Sequence, residues 1–253
     1  MPVLLFCPKA LLIVRKEDEK IVRYTHLSTG NYNETTAKLY TDIDFLTADE
    51  SIGNDVVQLF NYIMSYSEPV QWENLKVAPI HLRKEILSLI DNEINIAKSS
   101  REAHIIAKIN SLYDREITLK LYEASKAGVK IDLIVRGITS AVPGVKDVSE
   151  NIYIKSIIGR FLEHPRVLYF RNNGNERIFL STADWMVRNL DKRIEVMFEI
   201  EDKRLKEMLY KYLMLNLKDN QKSWVLTKTG KYVKKKSPTK KINLQIDMEK
   251  LLF

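Results

Sequence analysis

The sequence predicts an α/β protein, and three features of the chain predict it. Short apolar runs recur at residues 104–109, 129–135, 166–170, 178–181 and 194–200, each of a length that suits a strand. Amphipathic stretches with a helical period lie at residues 50–66, 81–97, 116–126 and 202–217. In the second half the two kinds alternate, which is βαβ-like organisation.

Residues 10–14 are an unbroken apolar run, predicted as a buried strand. A charged turn at 16–20 leads to a second strand at 21–27, so the opening is predicted as a hairpin. Ser28-Thr29-Gly30-Asn31-Tyr32-Asn33 is a polar loop, and Asn33 is placed to cap a short helix. Residues 43–46 are a short strand. The helix over 50–66 carries Val56, Leu59, Phe60 and Ile63 on one side. Residues 67–77 are irregular, contain Pro69, and form the predicted boundary between domains at 1–70 and 78–253. The helix over 81–97 places Ile86, Ile90, Ile94 and Ile96 on one face. The helix over 116–126 ends at Ala127-Gly128. The strand over 129–135 is closed by Arg136-Gly137. The helix over 202–217 turns Leu205, Met208, Leu209 and Leu213 inward.

Of 253 residues, 45% are hydrophobic, enough to bury a real core. The net charge of +7 favours polyanionic partners (nucleic acid, anionic membrane, nucleotide or polyphosphate) without choosing among them. Lys222, Lys228, Lys231, Lys234, Lys235, Lys236, Lys240 and Lys241 have no acid between them. They read either as a solvated basic segment or as a polyanion-facing surface. One cysteine, Cys7, excludes an internal disulfide and a thiolate zinc cluster, and fits a reducing cytoplasm. The apolar start has no basic n-region and no small-residue cleavage site, so it is not read as a signal peptide. No run reaches the ~18 apolar residues of a membrane span.

Four histidines are present, and His164 stands out by its neighbours. It lies between Arg160 and Arg166, directly before a strand. Nearby cations lower an imidazole's pKa and keep it neutral. Arginine also holds phosphate bidentately. An imidazole among arginines suits phosphoryl transfer, where positioning and charge neutralisation are most of catalysis. Arg136 ends the apolar strand Leu133-Ile134-Val135, and ligands of open α/β sheets bind at the carboxyl ends of strands. The loop from Ser28 to Asn33 can present backbone N–H groups to an anion. Ser181-Thr182-Ala183-Asp184-Trp185 follows a strand in the second half as that loop does in the first. The order hints at two related α/β units facing one another across a site. No P-loop, no G-x-G-x-x-G and no H-E-x-x-H motif occurs.

Five segments carry a more specific message: TGNYNETTAKLYTDIDFLT from Thr29, AKINSL from Ala107, LIVRGI from Leu133, SENIYIKSIIGRFLEHPRVLYF from Ser149 and LSTADWMVRNLDKRIEV from Leu180. In these segments the sequence resembles polyphosphate kinase, in family order and over nearly the whole chain. The resemblance implies reversible transfer of the terminal phosphate of ATP to polyphosphate, with magnesium and a phosphohistidine intermediate. It implies two phospholipase-D-like α/β units, the first incomplete at its N-terminal edge. It implies that His164 assists transfer or leaving-group protonation, and that Tyr40, Arg136 and His164 contact nucleotide. Lys9, Asn31, Arg160 and Arg166 are further candidates for binding phosphate.

Lys9 matches a family lysine two residues after the phosphorylated histidine, which puts Cys7 at the histidine's position. The family's magnesium-associated arginines lie upstream of these segments. The expected partners are ATP or ADP, inorganic polyphosphate and further copies of the chain, with no specific nucleic acid. Three readings stay open. One is a polyphosphate kinase region that binds its ligands with little or no turnover alone. The second is a non-catalytic polyanion-binding module. The third is a phospholipase-D-type phosphodiesterase, whose paired His-x-Lys motifs would here be broken at Cys7 and read His164-Pro165-Arg166.

Overall fold

Strands covered on both faces read as continuous apolar runs, because neither side of the pleat meets water. The centre of this molecule is built from such strands. The computed structural model describes residues 5–6, 9–65, 71–234 and 240–248. The first stretch holds β1 (Leu5–Phe6), β2 (Ala10–Glu17), β3 (Lys20–Ser28), α1 (Glu34–Ala37), β4 (Tyr40–Thr41), β5 (Asp44–Thr47) and α2 (Glu50–Ser65). Then come β6 (Leu75–Ala78), α3 (Leu82–Lys98), β7 (His104–Ile109), β8 (Leu112–Tyr113), α4 (Arg115–Lys126), β9 (Lys130–Val135) and β10 (Ile152–Ile157). The last part holds β11 (Leu162–Glu163), β12 (Arg166–Phe170), β13 (Arg177–Ser181), β14 (Trp185–Met186), α5 (Val187–Asp191), β15 (Arg193–Glu199), α6 (Lys203–Lys218), β16 (Ser223–Leu226), β17 (Tyr232–Lys234) and α7 (Leu244–Asp247).

Among the described residues, one mixed sheet runs β1-β15-β13-β12-β7-β9-β10-β16-β17, with β6 also paired to β15. β7, β9 and β10 are parallel neighbours, and β12 joins β7 antiparallel. Alternation sorts the side chains. Ile105, Ala107 and Ile109 of β7 enter the core under α3 and α4, while Ile106 enters the opposite core with Val56 and Leu59 of α2 and Leu209 and Leu213 of α6. Each fully buried Ile or Leu contributes about 1.5–3 kcal/mol relative to exposure, which makes these two cores the main stabilising term. The helices start on caps: Asn33, Asp114 and Asp202 accept from the backbone N–H three residues on. A smaller sheet, in the order β2-β3-β5, packs beside the large one, with Phe45 and Phe198 5.6 Å apart between ring centroids.

Four expectations need correction. The run at 10–14 is not buried. Only Ala10 and Leu12 pack on the core, while Leu11, Ile13 and Val14 are exposed, because β2 is an edge strand. Met208 is exposed rather than inward. Residues 67–77 are not wholly irregular, since β6 begins at Leu75 and pairs with β15; residues 66–70 lie outside the description. The basic tail is partly folded: β16 and β17 extend the sheet and α7 packs Leu244 into the core.

β10 was not predicted, because Lys155 interrupts its apolar pattern. Its ammonium is fully buried and donates to Asn216 O at 2.6 Å, Leu217 O at 3.2 Å and Asp219 O at 3.1 Å. Those carbonyls belong to the C-terminal turn of α6 and the residue after it. Such groups lack partners inside a helix and carry its negative pole, so a buried cation satisfies both needs.

Candidate active site

The two polar loops singled out in the sequence close in the same way. Ser28 Oγ accepts from Gly30 N at 2.8 Å, and Ser181 Oγ accepts from Ala183 N at 3.0 Å. Thr29 Oγ1 accepts from Ile43 N at 3.0 Å, and Thr182 Oγ1 accepts from Val196 N at 3.0 Å. Thr29 thus pins its loop to the residue just before β5, and Thr182 pins its loop to β15. The acidic residues near them diverge in partner. Asp42 receives Thr29 Oγ1–H at 2.9 Å, whereas Asp184 receives Asn110 N–H at 2.7 Å and the Arg166 guanidinium at 3.1–3.2 Å.

Between the loops lies His164, 7% exposed. A short parallel pairing of β4 with β11 brings Tyr40 and Thr41 beside Leu162 and Glu163. It sets the Tyr40 ring 5.1 Å from the imidazole. His164 Nδ1 is 2.8 Å from Asp42 Oδ1, and Nε2 is 2.9 Å from Arg166 Nη1. A guanidinium only donates, so Nε2 accepts and the ring proton sits on Nδ1, directed at Asp42. Burial is the main cause that holds the imidazole below its ordinary pKa. The Arg166 and Lys9 charges push the same way, and Asp42 pulls against them. The sequence reading had the direction right and the cause incomplete. Burial leads, and Arg160 is not among the causes.

Arg136 stands at the end of β9, as expected. Its Nε–H donates to Asn110 Oδ1 at 2.8 Å, and Asn110 Nδ2 donates to His164 O at 3.1 Å, so one asparagine ties arginine to histidine. Arg136 and Arg160 line one cavity of about 350 Å³ together with Ile158, Phe161 and Glu163. Arg160 is exposed and lies over the Phe161 ring at 5.3 Å.

Arg166 faces inward. It is 6% exposed, paired with Asp184, and also donates to Thr29 O at 3.3 Å and His164 O at 3.1 Å. Its fork is occupied, and it braces the first loop against the second. Lys9 Nζ lies 4.0 Å from Glu195 Oε2, an oxygen with no hydrogen-bond partner. Burial raises the Glu195 carboxyl despite Lys9. Asn31 is exposed on its loop. Cys7 lies outside the described residues.

Behind His164 runs a second buried pair. Lys108 Nζ is 3.2 Å from Glu163 Oε2, with both side chains at most 4% exposed. Burial lowers the Lys108 pKa and Glu163 opposes it. Sequence reasoning missed Asp42, Asn110, Lys108 and Glu195 as members of this site. Asp42 sits within the quoted segment from Thr29, but no spacing rule links it to a histidine 122 residues away.

Comparison with known proteins assigns the chain to a family. The sequence matches the family descriptions "Polyphosphate kinase C-terminal domain 1" over residues 4–69 and "Polyphosphate kinase C-terminal domain 2" over residues 75–245. The chain belongs to the polyphosphate kinase family. A polyphosphate kinase of Halalkalibacterium halodurans is 50% identical over 88% of this chain and 32% of its own length. One from Pseudomonas syringae pv. tomato is 49% identical over 89% of this chain and 31% of its own. The chain therefore spans about a third of the length of the curated relatives it matches. The solved polyphosphate kinase of Porphyromonas gingivalis superposes with a TM-score of 0.94 at 36% identity, covering 100% of this chain and 39% of that one. Phosphatidylserine synthase of Haemophilus influenzae shares the fold alone, at a TM-score of 0.54 and 11% identity over 91% of this chain and 68% of that one. The α/β class is as the sequence predicts. No helix among the described residues is long and apolar enough to cross a membrane.

Proposed function

We propose that this chain forms the nucleotide- and polyphosphate-handling part of a polyphosphate kinase site, in two units at residues 1–70 and 78–253. The observation that carries the proposal is the convergence of Tyr40, Arg136 and His164 from three separate stretches of chain. In this reading Arg136 holds phosphate oxygens of ATP or ADP, helped by Arg160 at the same cavity and by Lys9 near His164. Tyr40 contacts the nucleotide beside the imidazole. In the overall transfer, the bond from the γ-phosphorus to its bridging oxygen breaks, and a bond to a terminal polyphosphate oxygen forms.

In this reading His164 assists that transfer, or protonates the leaving oxygen of ADP after its Nε2 has taken up a proton from solvent. With Arg166 donating to Nε2, the ring is poised as an acceptor. Protonating Nε2 would set two donors face to face, so an arriving phosphate oxygen must first come between them. The family's phosphohistidine position is Cys7 here, so the chain alone is expected to bind without turnover. Magnesium is a family expectation. Among the described residues no three of His, Cys, Asp or Glu gather as a cation cage. Asp42, Asp184, Glu163 and Glu195 are engaged by His164, Arg166, Lys108 and Asn189, so this set does not fit the ion. A cytoplasmic, self-associating protein is part of the same reading.

Titration calorimetry with ADP and with tripolyphosphate tests the proposal. Binding by the wild-type chain and its loss in Arg136→Ala are expected. Robust ATP-dependent polyphosphate synthesis by this chain alone would overturn the binding-only reading. A second reading, a non-catalytic polyanion module, is favoured by the exposed Lys222, Lys228, Lys231, Lys234, Lys240 and Lys241. It predicts affinity that survives Arg136→Ala and falls steeply with salt.

A further inference from the structure

The stretch from Ile158 to Glu163 delivers Arg160, Phe161 and then His164 to the site, yet its own ladder is only the two-residue pairing of β11 with β4. Ile158 N donates to Lys222 O at 3.0 Å at one end, and the middle of the stretch is held by α7, more than 80 residues downstream. Gln245 Oε1 accepts from Phe161 N at 3.1 Å, and Nε2 donates to Phe161 O at 2.8 Å and to Glu163 Oε1 at 2.8 Å. A primary amide that meets both backbone groups of one residue imitates a neighbouring strand. The fit is close at Gly159, where a Cβ would stand 2.4 Å from Gln245 Oε1. The support is itself fixed. Asp219 Oδ2 accepts from Leu244 N at 2.7 Å, Asn220 Oδ1 accepts from Ile242 N at 3.0 Å, and Leu244 is 1% exposed.

We propose that Gln245 is a positioning residue, which sets the 159–163 loop and through it both His164 and the Arg136–Arg160 cavity for a condensed phosphate. The proposal rests on the phosphate-handling reading of this site, but its main readout does not. His164 is faced by Asp42 of the first unit, Arg166 at the start of β12, the Lys9 charge and the Tyr40 ring, with Lys108 and Glu163 behind. Releasing the loop admits water to this enclosure, and the titration of the imidazole reports it.

The experiment is a pH titration of the histidine ring protons in the full chain by NMR, with the His164 signal assigned from His164→Asn. Gln245→Ala is expected to move His164 upward toward an ordinary imidazole and to weaken tripolyphosphate binding about fivefold, the order of one net hydrogen bond. Gly159→Ala keeps the amide but displaces it, and is expected to do the same. Ile90→Ala, in the core under α3, is the structural control: it lowers the melting temperature and leaves the His164 titration in place. A wild-type His164 titration in folded Gln245→Ala and Gly159→Ala overturns the proposal. If Gln245→Ala does not fold, Gly159→Ala decides. If the wild-type chain binds no tripolyphosphate, the phosphate-handling reading falls, and the titration still judges Gln245.

Discussion

Glu163→Gln is the sharpest probe of the charges behind His164. The Lys108 ammonium and the Glu163 carboxylate are both almost fully removed from water and 3.2 Å apart. Taking away the negative charge strands the ammonium. Breaking a buried pair by removing one partner costs about 3–5 kcal/mol. At roughly 2–4 °C per kcal/mol for a chain of this size, the melting temperature should fall on the order of 10 °C. The loss should shrink as pH rises. A stranded lysine has a folded pKa below its unfolded one, so the unfolded chain binds more protons, and stability rises with pH across that window. Removing the ammonium as well, in Lys108→Met with Glu163→Gln, should recover part of the loss. Thermal melts followed by circular dichroism near neutral pH and at mildly alkaline pH provide the measurement. A Glu163→Gln melt within about 2 °C of wild type, or a double variant less stable than the single, would refute the account.

Three further outcomes are expected. Asp42→Asn removes the negative charge that supports the protonated His164 ring, so the imidazole should titrate lower still; ring-proton NMR reads this, and an upward shift would count against the Asp42 assignment. Gly30→Ala places a Cβ 2.6 Å from Asp42 Cγ, so Asp42 must leave either Thr29 or His164; tripolyphosphate affinity measured by calorimetry should fall about tenfold, on the order of a charge-assisted hydrogen bond. His164 is held below 6.5 in the fold, so as pH falls through 6.5 the unfolded chain takes up a proton that the native chain refuses; this contribution to stability is present above 6.5 and lost below it. Melts of wild type and His164→Asn should therefore converge on acidification, and parallel curves would exclude His164 as the cause.

The strands β7, β9 and β12 were legible because burial on both faces leaves mostly apolar runs, interrupted inside only by Lys108 of β7 and Asp132 of β9. β10 was not, because Lys155 serves α6 rather than its own strand. β2 was legible as a strand but not as an edge, since its neighbours are set by topology and not by its apolar run. Within the site, His164 and Arg136 were marked by local company. Asp42, Lys108 and Glu195 were not, because each finds its partner across the fold. A lone carboxylate in a sequence carries no sign of the histidine or lysine it will meet. Arg166 shows the converse: its neighbours pointed to phosphate, while its bonds run to Asp184 and to the first loop.

The short pairing of Tyr40–Thr41 with Leu162–Glu163 bears on the order of events when the chain folds. The contact it enables, Asp42 to His164, spans 122 residues. Contacts of such separation must close a long loop before they return any energy. The helices and the β7–β9 core can form from near neighbours, but His164 cannot be oriented until both halves have folded and met. A half-folded chain would therefore carry its arginines without an aligned imidazole, and the set orientation of His164 would be among the last features to appear.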